Sequence, residues 1–305
     1  METGLRQRSC LSTTDGKGTV INDDKRYDSP FITAYFVILS LVLGAVMGSF
    51  LNCTAMRIAR GETFVKGRSH CMKCGHELSW MDLVPVLSWG MLGGKCRYCG
   101  EKISARYPIT EVTFALLSMA CVLKFGLTVL CLRNYVMLAV LFVVTLTDIE
   151  TMEIPDSCHV IAAAAWAVTA PFIYRVGTPT PGSMFGVDLT LPIDVKTIGL
   201  HVAAGLVFGS GLLALSLIMD HIMKRDTLGG GDIKLIAVVG LYMGFIGTLF
   251  VIMLSCITGL VFNVILNSGK EESKPFPFGP WIAISTVIML FFGDPLIQWY
   301  LGLLG

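Results

Sequence analysis

Long apolar runs, broken at near-regular intervals by polar stretches, dominate this chain of 305 residues. The runs fall at roughly 32–55, 108–125, 127–147, 158–174, 198–219, 233–245, 247–266 and 279–301. Runs approaching twenty apolar residues span a bilayer core, so the pattern predicts an all-α polytopic membrane protein of about eight transmembrane helices. The division between 233–245 and 247–266 rests on Gly244 and Gly247 alone, which mark a turn. Four regions follow: a polar tail over 1–30, a first helix over 31–56, a polar module over 57–107 and a membrane domain over 108–305. The tail carries Asp15, Asp23, Asp24 and Asp28 among basic residues and is expected to be disordered. It lacks the apolar core and small-residue cleavage site of a signal peptide.

Composition supports this reading. The chain is 54% hydrophobic and 15% charged, with a net charge of +1 that argues against a nucleic-acid partner. Membrane lipid is the partner implied by the apolar runs. Lys and Arg set the orientation: the 57–107 module holds nine, and Lys224, Arg225, Lys234, Lys270 and Lys274 fall on the same side. The opposite short loops and flanks hold Lys124, Arg133, Arg175 and Lys196, with five more basic residues in the tail. Cytosolic segments are the basic ones, which places the module in the cytosol and both termini outside.

The module carries Cys71-Met72-Lys73-Cys74 and Cys96-Arg97-Tyr98-Cys99. Each CxxC pair forms a tight knuckle with both sulfurs on one ion, and the spacer lets the knuckles meet. The pattern predicts a structural zinc site of Cys71, Cys74, Cys96 and Cys99. A reducing compartment disfavours disulfides. The remaining cysteines show no pattern.

Two carboxylates draw attention at the same boundary. Asp148 ends the third run, where the helix dipole disfavours a negative charge, so capping does not explain it. Asp232 follows Gly229, Gly230 and Gly231 and precedes Lys234; its plainer reading is the N-cap of a helix starting at Ile233. Two carboxylates at one membrane depth are what aspartyl proteolysis requires, one ionised to activate water and one protonated to polarise the scissile carbonyl. Glu150, Glu153 and Asp156 form an acidic loop beside Asp148, read first as solvated and more sharply as a rim attracting a basic peptide. Glu111 lies one turn inside the second run, in reach of Arg106 or Lys102 for an ion pair, or placed to bind a substrate amine. His201 reads as a satisfied interior histidine. Transporters place acids near mid-span in repeated halves, and no repeat is present here. A non-catalytic zinc scaffold would not need both aspartates, and no HExxH of a metalloprotease occurs.

With these residues in place, the chain resembles the bacterial type IV prepilin peptidases, membrane aspartyl proteases of the GxGD class. The resemblance rests on Gly48-Ser49-Phe50-Leu51-Asn52, on Asp82 to Trp89 and Gly94 to Cys99, and on Arg106-Tyr107-Pro108 with Glu111. It continues through Asp148 with Ile154-Pro155-Asp156, Gly229 to Lys234, and Phe278-Gly279-Pro280. It implies removal of the basic leader from type IV prepilins and type II secretion pseudopilins at the cytosolic face of the inner membrane. It further implies Asp148 and Asp232 as the catalytic pair, with Gly229, Gly231, Lys234, Asp156 and Glu111 supporting, and the four cysteines as zinc ligands. Many members also methylate the new N-terminus with S-adenosylmethionine. No glycine-rich nucleotide motif places that methyl donor here.

Overall fold

The computed structural model describes residues 13–14, 20–21, 30–62, 69–176, 191–224, 228–267 and 277–304. The expected disordered tail lies outside the described residues, apart from an antiparallel pairing of Thr13–Thr14 (β1) with Val20–Ile21 (β2). The rest is helical: α1 Pro30–Ala59, α2 Leu87–Met91, α3 Arg106–Phe125, α4 Val129–Thr151, α5 Asp156–Ile173, α6 Val195–Met223, α7 Gly230–Asn267 and α8 Gly279–Leu304. All but the short α2 are long and apolar enough to cross a membrane, giving seven such helices among the described residues.

Seven continuous helices stand where eight runs were expected because 233–245 and 247–266 join in α7. Its continuity is only formal, since Gly244 sits at φ 65°, ψ −169°, a conformation that side chains rarely adopt. Before Gly244 the chain runs antiparallel to α6: His201 Nδ1 meets the Leu241 carbonyl at 2.8 Å, and Gly205 lies against Gly240 and Ala237. A Cβ on Gly240 would stand 2.6 Å from the Gly205 Cα, so this crossing needs two glycines. After Gly244 the chain runs antiparallel to α8, with Phe250 against Tyr300 and Phe262 against Trp281, ring centres 5.4 and 4.7 Å apart. The first turns of α7 and α8 lie side by side against Ile154 and set out together, whereas the stretch after Gly244 runs against α8, so α7 turns back on itself at Gly244. Leaving aside the short α2, eight helical segments result among the described residues, as the apolar pattern anticipated.

Helix α4 is the axis of the bundle. Met137, Leu138, Leu141 and Val144 on it are fully buried, packed with Phe114 of α3, Leu235 and Val239 of α7 and Ile282 of α8. Thr128 caps its start by accepting the Cys131 N–H at 3.1 Å. Met152, in the left-handed region at φ 56°, ends it four residues after Asp148. Outward apolar residues such as Leu206, Leu217 and Ile222 of α6 stay exposed, as a lipid-facing helix requires.

Between α1 and α3 the module folds on two copies of one turn. Gly75 and Gly100 sit at φ 70° and 71°, and their N–H groups reach the carbonyls of Cys71 and Cys96 at 2.9 Å each. Isolated bridges pair His70 with Glu77 and Lys95 with Lys102, closing each turn at its base. Between the two turns, Asp82 accepts from the Ser79 hydroxyl at 2.7 Å and from Arg97 Nε at 2.7 Å. The Ser79 hydroxyl first, and Arg97 after it, pull the Asp82 carboxyl from 3.8 down to about 2.

Candidate active site

Asp148 and Asp232 reach the same end of the bundle from different helices. Asp148, 4% exposed, turns its Oδ2 toward the first N–H of α8, that of Gly279, at 2.9 Å. A helix N-terminus carries unsatisfied N–H groups and a positive dipole end, and so holds an anion. Asp232 lies in the first turn of α7. The N-cap reading does not hold, because α7 begins at Gly230 and Asp232 is already helical. Its Oδ2 folds back over Gly229, 2.9 Å from where a Cβ would stand, and its Oδ1 is buried with no hydrogen-bond partner. Asp232 is buried and lies within the field of the Asp148 carboxylate.

Ile154 joins the two. A Cβ on Gly231 would meet the Ile154 Cβ at 2.9 Å, and one on Gly279 would stand 2.8 Å from Asp148 Oδ2 and 3.3 Å from Ile154 Cδ1. The Ile154 side chain therefore fills the space between the starts of α7 and α8, and a glycine at each start admits it. Outside this, Lys234 pairs with Asp156 at 2.6 Å and His159 Nε2 meets the Gly231 carbonyl at 3.1 Å, tying α5 to the first turn of α7. His159 attracted no notice in the sequence; its one signal is the position three residues after Asp156. The acidic loop is less free than expected. Glu150 is paired with Arg106 and Asp156 with Lys234, leaving Glu153 as the exposed acid of the three without an ion pair among the described residues.

Glu111 pairs with neither Arg106 nor Lys102. It is 7% exposed, and its Oε2 accepts the Val86 N–H at 2.7 Å. Val86 sits at φ 60°, ψ −49°, in the left-handed half of the map where a β-branched residue is strained. A membrane helix thus holds a turn of the module by one buried carboxylate. Glu111 also lines a cavity of about 490 Å³ between the module and the ends of α1 and α3, with Arg57, Arg60, Asp82, Trp89 and Tyr107.

The four module cysteines converge. All four Sγ atoms lie within 4.8 Å of one another, with Cys71 and Cys99 at 3.8 Å. Tetrahedral Zn–S bonds of about 2.3 Å require sulfurs roughly 3.8 Å apart, so the donor set and its spacing fit a metal. Backbone N–H groups of Cys74 and Lys73 point at the Cys71 sulfur and bring its thiol down to about 6, favouring the thiolate a metal needs. His70 and His76 are not part of the cluster.

Two family models match the sequence, the bacterial peptidase A24 N-terminal domain over residues 42–125 and the type IV leader peptidase family over 135–264. The prepilin leader peptidase/N-methyltransferase of Aeromonas salmonicida (strain A449) is 32% identical over 242 residues, covering 77% of this chain and 75% of that protein. The chain belongs to the type IV leader peptidase family. Proteins of the same name from Bacillus subtilis (strain 168) and Pseudomonas putida are 29% and 28% identical, covering 85% and 89% of this chain and 96% of each relative. No solved structure matches. The N-terminal family segment takes in more than half of α1, the cysteine module and all of α3. The leader peptidase segment holds both aspartates, and the Gly279 that binds Asp148 lies beyond its end.

Proposed function

We propose that this protein removes the basic leader from prepilins and pseudopilins by an aspartyl mechanism at the cytosolic face of the inner membrane, and methylates the amine it exposes. The observation that carries the peptidase reading is the meeting of Asp148 and Asp232 at one bundle end, one oxygen held by the Gly279 N–H and another buried without a partner. The donor at Asp148 suits an ionised acceptor, and the unpartnered Asp232 Oδ1 is the oxygen placed to carry a proton. Asp148 then takes a proton from water as its oxygen attacks the scissile carbonyl, while Asp232 gives its proton to the carbonyl oxygen. When the tetrahedral adduct collapses, the C–N bond breaks and the leaving amine takes the proton from Asp148. The carbonyl re-forms and returns the other proton to Asp232. The basic residues of the module and of the loops on that side support its cytosolic placement.

Cys71, Cys74, Cys96 and Cys99 would hold a zinc ion, which would fix the two turns of the module to each other in a structural role. We assign the methyl donor to the cavity beside it, on the chemistry of the residues that line it. S-adenosylmethionine, when bound, supplies an electrophilic methyl group on a sulfonium. Glu111 is a buried carboxylate with no cationic partner among the described residues, suited to a sulfonium or ammonium charge. Arg57 and Arg60 suit a carboxylate, and Trp89 and Tyr107 a base. The Arg106–Glu150 pair ties the start of α3, on this cavity, to the end of α4 that carries Asp148. Mass spectrometry of a co-expressed prepilin tests both activities. The expected N-terminus lacks the leader and carries one added methyl, and an uncleaved N-terminus overturns the reading.

A further inference from the structure

At the bundle end opposite the aspartates, α4 buries an arginine that leader cleavage does not use. Arg133 lies four residues into α4 and is 6% exposed. Its guanidinium lies over the rings of Tyr174 and Tyr242, 5.6 and 5.3 Å from their centres, and donates to the Tyr174 hydroxyl at 3.0 Å. Its Nε is buried without a hydrogen-bond partner, as is Oδ1 of the neighbouring Asn134, 2% exposed. Among the described residues no carboxylate pairs with Arg133. Aromatic faces attract a cation but leave its charge in place. An arginine at membrane depth with no counter-ion points to a ligand of opposite charge.

Arg133 and Asn134 line a cavity of about 210 Å³ between α3, α4, the turn of α7 and α8, with Lys124 and Asp294 as its other charged groups. Lys124 has work elsewhere. Pro295 has no N–H to give the Phe291 carbonyl one turn before it, and Lys124 Nζ donates to that carbonyl and to that of Leu290. The charge of Asp294 acts on Lys124. His201, also in the field of Arg133, spends Nδ1 on the Leu241 carbonyl and brings no negative charge. Among the described residues Arg133 is left as the cavity's cation without a carboxylate of its own. It stands about 6 Å along the axis from the start of α4, at 1.5 Å per residue. Trp299 and Tyr300, 64% and 41% exposed at the same end, are side chains that settle at headgroup level.

We propose that this cavity binds one phosphate group, with the Arg133 guanidinium as principal contact and the Nδ2 N–H of the Asn134 amide donating as the second. The phosphate is either the diester of an anionic phospholipid headgroup or a free anion. A guanidinium fork matches phosphate oxygens, and a headgroup offers one at this depth.

The test titrates delipidated protein in detergent with phosphatidylglycerol and, separately, with inorganic phosphate, reading native mass spectra and the thermal midpoint. Saturation by one phosphatidylglycerol supports the lipid as source, and saturation by phosphate alone supports the free anion. Arg133→Met should weaken the bound species at least about tenfold, in line with loss of a charge-assisted contact. Ile297→Glu keeps Arg133 and offers an internal carboxylate on the cavity wall, so it should weaken binding likewise even if Arg133→Met fails to fold. Binding of neither species to wild type, or equal binding by wild type and the folded variants, overturns the proposal and leaves the cavity to water.

Discussion

The Asp148 carboxylate and the Gly279 backbone meet at 2.9 Å across 131 residues of chain. This one hydrogen bond joins the end of α4 to the start of α8 and fixes one oxygen of the proposed catalytic pair. A Cβ at 279 would crowd that carboxylate first, at 2.8 Å from Asp148 Oδ2, and Ile154 Cδ1 after it, at 3.3 Å.

Gly279→Ala should therefore disable the site without unfolding the bundle. The added Cβ would fall 2.8 Å from Asp148 Oδ2, so the carboxylate must move. Displacement by about 1 Å is enough to lower cleavage on the order of 100-fold. Leader release from a model prepilin measures it. Wild-type rates in the alanine variant would show that the Gly279 contact is dispensable.

Glu111 and Val86 form the second long-range contact, and their variants should move in opposite directions. Glu111→Ala removes the acceptor that holds the Val86 N–H and should loosen the module. Val86→Gly removes a left-handed β-branched residue, a strain of about 1 kcal/mol or more, and should tighten it. Limited proteolysis between Arg57 and Tyr107 reads both, and faster cleavage in Val86→Gly would argue against stored strain.

Asp82 makes a pH-dependent contribution with a definite sign. Its carboxyl lies at about 2 in the folded module against 3.8 ordinarily, so its stabilisation is complete above about 5 and fades as pH falls from 4 towards 2. Asp82→Asn should lower the thermal midpoint of the module by an amount that stays constant between pH 8 and pH 5. A gap that changes across that range would assign the effect to another group.

Metal should be needed for shape rather than chemistry. Purified protein is expected to hold about one zinc per chain on thiolates. Cys71→Ser or Cys96→Ser should release it, loosen the module and lower activity in part. Full activity in zinc-free protein would show that the cluster has no structural task.

What the sequence made legible was local in chain terms. Apolar runs declared the helices because bilayer thickness fixes their length, and the two turns of the cysteine module each close within a few residues. The reversal at Gly244 was legible as a break between two runs, although its conformation was not. Contacts between distant segments were hidden. Glu111 finds its partner 25 residues back, in a strained turn that no spacing announces. Glu150 and Asp156 looked like a free acidic loop because Arg106 and Lys234 come from helices far along the chain. Arg133 reads in the sequence as one basic residue of a loop flank, and its burial against two tyrosines comes only from packing.

The most direct measurement is leader release by Asp148→Asn, Asp232→Asn and the double variant, each shown by zinc content and elution profile to be folded. Both single variants should be inactive, because each lacks either the base or the acid. The double variant should be hardly worse than either, since groups that act as a unit are not additive. Asp156→Asn, which removes an acid paired with Lys234, should keep measurable activity. Substantial cleavage by folded Asp148→Asn or Asp232→Asn protein would contradict the aspartyl mechanism.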